Sequence, residues 1–285
     1  MGNRKDSLSM EKKCFIAGLP QAGKTTYIAA LWDVIQREKG DFELQFTTSP
    51  QNASYLNEIW EYWMRMEKIE RSKVPVPEDI KINVKRKLNG DELELDIPDF
   101  MGEQFQKIID RTLPESIMLW IEQSDRMLYL INLLEDANKD DVDNEESASD
   151  GIDRTKEKEE ATSLTPERML DVSQNLMVLK YISSHSKIDK IAFGLSAWDN
   201  KLSSGKSPED FLKDRAPVLY NFIKYHFRDH LFFGVSAQGF DYKDKEAKGK
   251  NMKDKAKLSN RAFIVYGDEK EVSFDLTRPF NYLIS

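Results

Sequence analysis

The sequence predicts an α/β fold: a mostly parallel sheet with helices on both faces and one antiparallel hairpin at its edge. Three observations predict it. Strand-like and helix-like stretches alternate along most of the 285 residues. Several of the strands are apolar throughout, as strands covered on both faces must be. Asn89-Gly90 stands between two alternating runs, the pattern of a turn that joins antiparallel neighbours.

Element by element, "CFIA" (residues 14–17) reads as a buried strand by its length and apolarity. Residues 24–38 follow with Ile28, Leu31, Trp32 and Ile35 at helical spacing. "DFELQFTTS" alternates like a strand, and "NASYLNEIWEYWMRMEKI" places Leu56, Ile59, Trp60, Trp63 and Met66 on one helical face. That face, with Tyr55, suits either a satellite core or a docking surface. "VPVPED" then breaks the helix. "IKINVKRKL" and "ELELDI" form the hairpin about the Asn-Gly turn. Helices at residues 103–111 and 115–123 lead to a strand over 127–133. Thr165-Pro166 opens a long helix, with a cap and a proline at its first position. The strand "IAFGLSAW", one helix over 208–227, the strand "LFFGVSA", a final strand or hairpin from Phe263 and a short helix at "RPFNYLI" complete the order.

The domain reading is a tail over 1–12 and a single domain over 13–285 with three insertions: helical at about 49–79, acidic at about 135–163 and lysine-rich at about 241–258. Residues 135–160 carry twelve acids and four bases, which equals the net charge of −8 for the whole chain. This stretch has almost no large apolar residues, so burial cannot offset its ordering entropy, and disorder is expected. Residues 241–257 hold seven bases and four acids. Outside residues 135–160 the chain sums to zero and offers no basic stripe, so nucleic acid is not an expected partner. A single cysteine, Cys14, excludes an internal disulfide. No apolar run approaches the roughly 20 residues of a bilayer span, the first residues lack a secretory pattern, and Ser7 stands one place beyond the acylation pattern. A soluble, cytoplasmic protein with no membrane partner is expected.

"GLPQAGKTT" directly follows the first strand and opens the first helix, the context that G-x-x-x-x-G-K-[ST] requires. The amides of Gly18, Gln21, Ala22, Gly23, Thr25 and Thr26 would wrap phosphates, with Lys24 neutralising charge and the Thr25 hydroxyl on Mg²⁺. Asp96 and Asp99 compete for the metal's second contact. Asp99-Phe100-Met101-Gly102 has the D-x-x-G form, in which the acid holds the metal through water and the Gly102 amide meets a γ-phosphate. Asp96 would serve instead if the strand ended earlier. A third group of loops selects the base. Asp199, after Ala197-Trp198, can accept from the guanine ring N–H and exocyclic amine, beside an amide of Ser236-Ala237-Gln238 that donates to the guanine carbonyl. A purine without those groups would leave buried polar atoms unpaired.

In this order, the cradle, hairpin, D-x-x-G, x-x-x-D and S-A-x resemble the Ras-like P-loop GTPases. Within them the chain is similar to the bacterial double-GTPase family of GTPase-associated conflict systems. "GLPQAGKTTYIAALW", "LDIPDFMGE", "LSAWD", "GVSAQG" and "DLTRPFNYLI" carry that likeness and bracket nearly the whole length. The resemblance implies a Ras-like fold that binds GTP and GDP with Mg²⁺ and hydrolyses GTP. It also implies work beside a second GTPase and effector proteins in defence against phage.

Two departures qualify it. Ala197 replaces the lysine whose stem usually covers the base, leaving Trp198 to stack on a purine or pack in the core and Lys201 to give partial cover. Glu103 stands where a glutamine would orient water, and its charge is repelled by a γ-phosphate, so slow turnover is expected. The threonine that closes over the metal is not assigned among Thr47, Thr48 and Ser72. The rival readings are an ATP-using P-loop enzyme with Asp96 on the metal, and a scaffold that holds nucleotide without turnover.

Overall fold

The computed structural model describes residues 12–37, 42–47, 50, 53–67, 69, 79–98, 107–108, 115–133, 166–239, 261–266 and 272–285. Within them the chain forms β1 (Lys12–Gly18), α1 (Lys24–Gln36), β2 (Leu44–Phe46), α2 (Ala53–Met64), β3 (Asp79–Arg86), β4 (Glu92–Pro98), α3 (Glu115–Gln123) and β5 (Arg126–Ile131). There follow α4 (Pro166–His185), β6 (Lys190–Ser196), a 3-10 helix (Trp198–Ser204), α5 (Pro208–Arg215), α6 (Pro217–His226), β7 (Asp229–Ser236), β8 (Phe263–Tyr266), β9 (Val272–Ser273) and α7 (Arg278–Ile284).

The strands make one sheet in the order β2-β3-β4-β1-β5-β6-β7-β8-β9. The five central strands, β4-β1-β5-β6-β7, are parallel to one another. The β2-β3-β4 ribbon and the β7-β8-β9 ribbon are antiparallel. The sheet is therefore mixed, with four parallel and four antiparallel pairings, rather than mostly parallel with one edge hairpin. Short connections explain part of this: β3 turns into β4 through five residues, and β8 into β9 through five, too few for a parallel crossover. Alternation in "ELQF" and "FIVY" reports a strand but not its direction.

Burial alternates along the central strands. Cys14 and Ile16 face a core with Leu31 of α1, Leu56, Ile59 and Trp63 of α2, and Phe280 and Leu283 of α7. Phe15 and Ala17 face the opposite core, with Ile117 and Ile121 of α3, Leu179 of α4, Phe211 of α5 and Ile223 of α6. Helices thus cover both faces, and each large side chain fully buried there contributes about 1.5–3 kcal/mol.

Two local expectations change. The single helix over 208–227 is two, because Pro217 crowds the residue before it and Ala216 takes φ −143°, ψ 63° instead of helical values. The aromatic face of α2 is core rather than a docking surface. Trp63 is fully buried, and the Trp60 indole donates to Asp33 Oδ1 at 2.9 Å while the Trp32 indole donates to Asn57 Oδ1 at 2.9 Å, fastening α2 to α1. The residues expected to form the acidic and lysine-rich insertions lie outside the described residues, as does the Thr165 cap; Pro166 is the first residue of α4.

Candidate functional site

The sheet order places β1 between β4 and β5, so the connections leaving β1 and β4 run to opposite sides of the sheet. In open α/β sheets the crevice beyond the carboxyl ends of the strands at such a switch point is where ligands bind. Residues 18–26 occupy this crevice. Gly18 has φ 146°, and a Cβ there would sit 2.5 Å from the Leu130 carbonyl oxygen, so the turn out of β1 admits only glycine. Gln21 at φ 61° and Gly23 at φ 83° continue the turn, and the Ala22 amide donates to the Leu19 carbonyl at 3.2 Å. Gly23 begins α1 with no side-chain cap and no acid in the first turn. The first turn thus leaves amides and a positive dipole end directed at the crevice, the arrangement that favours an anion. Lys24 is nearly buried and its ammonium donates to the Gly18 and Leu19 carbonyls, both at 2.7 Å. Thr25 and Thr26 are half-buried in the same turn.

The ends of β5, β6 and β7 complete the site. A cavity of about 250 Å³ is lined by Gln21, Gly23 and Thr26 on one side and by Asp199, Ser236, Ala237 and Gln238 on another, with Ala197 also in its wall. The structure therefore brings the lysine-bearing turn and the two loops after β6 and β7 to one space. Ala197 takes the left-handed conformation, φ 52°, ψ 44°, and starts the 3-10 helix that carries Asp199. The Ser236 hydroxyl donates to Asp199 Oδ1 at 2.6 Å and accepts from the Gly239 amide at 3.0 Å. One hydroxyl thus aligns a carboxylate on the β6 loop with the backbone of the β7 loop.

Trp198 does not reach this cavity. It is 1% exposed, lies edge-on to Phe211 with centroids 5.5 Å apart, and packs against Gly234. Of the two readings, core packing is what the structure has, since successive side chains of a 3-10 helix point about 120° apart and Trp198 and Asp199 therefore face different ways. Lys201 also turns inward, donating to the Ser196 carbonyl at 2.9 Å and the Ala197 carbonyl at 3.1 Å, so it braces the loop and gives no cover from above. Gly18, Ala22, Lys24 and Thr25 support the turn from outside the cavity lining. Asp96 lies on β4 in register with Phe15 and Lys81. Asp99, Gly102, Glu103, Thr48 and Ser72 lie outside the described residues, and Thr47 donates to the Asn83 carbonyl at the β2–β3 edge at 3.2 Å. Among the described residues no group of three or more His, Cys, Asp or Glu could hold a metal ion.

Sequence reasoning missed several participants. Asn132, just after β5, lines the cavity and donates to the Gln21 carbonyl at 3.5 Å; a polar residue directly after an apolar strand was its signal. A second cavity of about 200 Å³ shares Gln21 and Asn132 and is closed by Asp171, Gln174 and Asn175 of α4. Burial there raises the Asp171 carboxyl above its ordinary pKa. The Trp63 indole donates to the Ala237 carbonyl at 2.8 Å, a link across 174 residues that no local pattern announces.

The Double-GTPase 1 family profile matches residues 15–283. The chain belongs to the Double-GTPase 1 family. A search of curated proteins finds no match. Among solved structures, this Double-GTPase 1 chain is similar to Methanosarcina barkeri Roco2 RocCORdC bound to GDP, at 15% identity and TM-score 0.35, over 92% of this chain and 52% of that one. It is similar to a bacterial selenocysteine-specific elongation factor at 12% identity and TM-score 0.36, over 85% of this chain and 28% of that one. The Saccharomyces cerevisiae Ski7 GTPase-like domain bound to GTP matches at 15% identity and TM-score 0.39, over 80% of this chain and 43% of that one. The chain thus spans about half the length of the first of these structures and less of the others. No described helix is long and apolar enough to cross a membrane.

Proposed function

We propose that this Double-GTPase 1 protein is a guanine-nucleotide switch that binds GTP and GDP with Mg²⁺ and hydrolyses GTP slowly. The observation that carries the reading is the single cavity walled by the glycine-lysine turn at one end and by Asp199 with Ser236–Gln238 at the other. Family membership supports the same reading. Phosphates would lie on the turn at residues 18–26, against the uncapped amides of α1 and Lys24. The base would lie at the far end, its N–H groups on Asp199 and its carbonyl on a β7-loop amide.

The donor set fits a divalent cation only together with phosphate oxygens, since Thr25 offers one hydroxyl and no carboxylate cluster stands beside it among the described residues. Thr25 would hold Mg²⁺, with Asp99 in its outer shell. The ion would neutralise charge that develops on the phosphates. Gly102 would meet the γ-phosphate, and Glu103 in place of a water-orienting group would make turnover slow. The segments that depend on the γ-phosphate would change order between GTP and GDP states, and a second GTPase and effector proteins in a defence system would read that change.

Titration of the purified protein with GTP, GDP and ATP tests the reading, followed by phosphate release in a single turnover. Binding of GTP and GDP at least tenfold tighter than ATP is expected. Tighter ATP binding would transfer the site to the ATP-using class, and GTP binding with no phosphate release would leave a scaffold.

A further inference from the structure

Gln238 is 7% exposed, lines the cavity, and has neither Oε1 nor Nε2 hydrogen-bonded to any described residue. A buried primary amide in that condition is costly, and native proteins rarely carry one without a use. Its surroundings leave it little freedom to turn away. The preceding residue is fixed by the Trp63 indole on its carbonyl, and the following residue by its amide on the Ser236 hydroxyl. The Arg261 guanidinium lies 3.6 Å over the Trp63 ring and donates to the Trp63 carbonyl, so the indole is itself held.

The position along the sheet says which part of a ligand the amide would meet. Gln238 follows β7, and the phosphate-binding turn follows β1, three strands away in the order β1-β5-β6-β7. At about 4.8 Å per strand, the two ends lie about 14 Å apart. That separation puts Gln238 at the nucleoside's base, away from the phosphates and beyond the sugar.

We propose that the Gln238 side chain is a base-contacting, specificity-determining group, whose Nε2 donates to the carbonyl and ring-nitrogen edge of the purine while Asp199 takes the opposite N–H edge. The inference rests on the nucleotide reading above and adds a side-chain contact to the backbone contact of the same loop. One Nε2 hydrogen suits O6 or N7 of guanine, acceptors that lie side by side. Oε1 is left to a water that enters with the nucleotide.

The test is Gln238→Met, which keeps volume and removes both polar atoms. One lost hydrogen bond predicts GTP and GDP binding weakened about tenfold. The ligand-free protein should melt at the same temperature or higher, since the variant removes an unpartnered buried amide; a purely structural glutamine would instead lower it. Titration with 7-deaza-GTP and with the triphosphate of 2-aminopurine riboside locates the contact. At least one analogue should bind the parent more weakly and lose little further affinity in the variant. The inference is overturned if Gln238→Met binds GTP within twofold of the parent, or if the variant's penalty vanishes only with 3′-deoxy-GTP, which would place the amide on the sugar. Failure of the parent to bind GTP at all would instead remove the nucleotide reading beneath it.

Discussion

Gly234→Ala tests whether the packing behind the 3-10 turn sets the position of Asp199. A Cβ at 234 would lie 2.3 Å from Trp198 Cδ2 and 2.4 Å from Cγ, where carbon atoms rest at about 3.5–4.0 Å. Something must yield by more than about 1 Å, and neither side can do so freely. Gly234 is in register with Leu195 of β6 and Val265 of β8, which hold the strand from both sides. Trp198 is 1% exposed with Phe211 edge-on behind it. Overpacking of this kind costs about 1–3 kcal/mol, and a full ångström of overlap against a rigid ring places the cost in the upper half of that range. Because Trp198 directly precedes Asp199, the displaced indole should also carry the carboxylate away from Ser236, weakening GTP binding. Urea unfolding reads the first effect as a lower midpoint at unchanged slope, and nucleotide titration reads the second. Trp198→Leu in the Gly234→Ala background should recover stability beyond the sum of the two single changes, a coupling of about 1 kcal/mol or more. Unfolding within about 0.5 kcal/mol of the parent, or strictly additive single changes, would refute the argument.

Three further outcomes are expected. Asp199→Asn replaces an acceptor of two N–H groups by a partial donor, and should weaken GTP about a hundredfold while changing ATP little, as competition titration would read. Lys24→Ala should abolish nucleotide binding, and should also lower the melting temperature of the ligand-free protein, since the Gly18 and Leu19 carbonyls lose their donor. Asp171 has a pKa raised by burial, so the folded state holds its proton more tightly than the unfolded state. Stability from this group is present at acid pH and lost as pH rises through the raised pKa. Asp171→Asn should therefore raise the melting temperature at pH 7, with the difference closing as pH falls below the ordinary aspartate range; a larger difference at acid pH would reverse the reasoning.

The central strands and α1 were legible because each is set by its own residues: apolar runs, helical spacing, and glycines where a turn needs them. The edges were not. Antiparallel ribbons on both sides of the parallel core depend on pairings between β2 and β3 and between β7 and β8, which no local pattern encodes. The break at Ala216 has its signal in Pro217, but the apolar spacing that marks a helix runs on through it. The site divides in the same way. The turn at residues 18–26 announces itself, but Trp198 could not be assigned to core or cavity until Gly234 and Phe211 were placed against it.

What the sequence hides most completely is the way α2 reaches the β7 loop. Trp63 stands on the element that looked most like an addition to the fold, yet its indole holds the Ala237 carbonyl and its ring carries Arg261. A carbonyl so held fixes its own peptide plane, and with it the amide of Gln238, a residue that lines the cavity. One and two turns before Trp63, α2 is fastened to α1 by the Trp60 and Trp32 indoles, and α1 begins at the lysine-bearing turn. The two ends of the cavity are thus joined by two routes, through the sheet and through α2. Any partner that displaced α2 would act on both ends of the site together, without touching either.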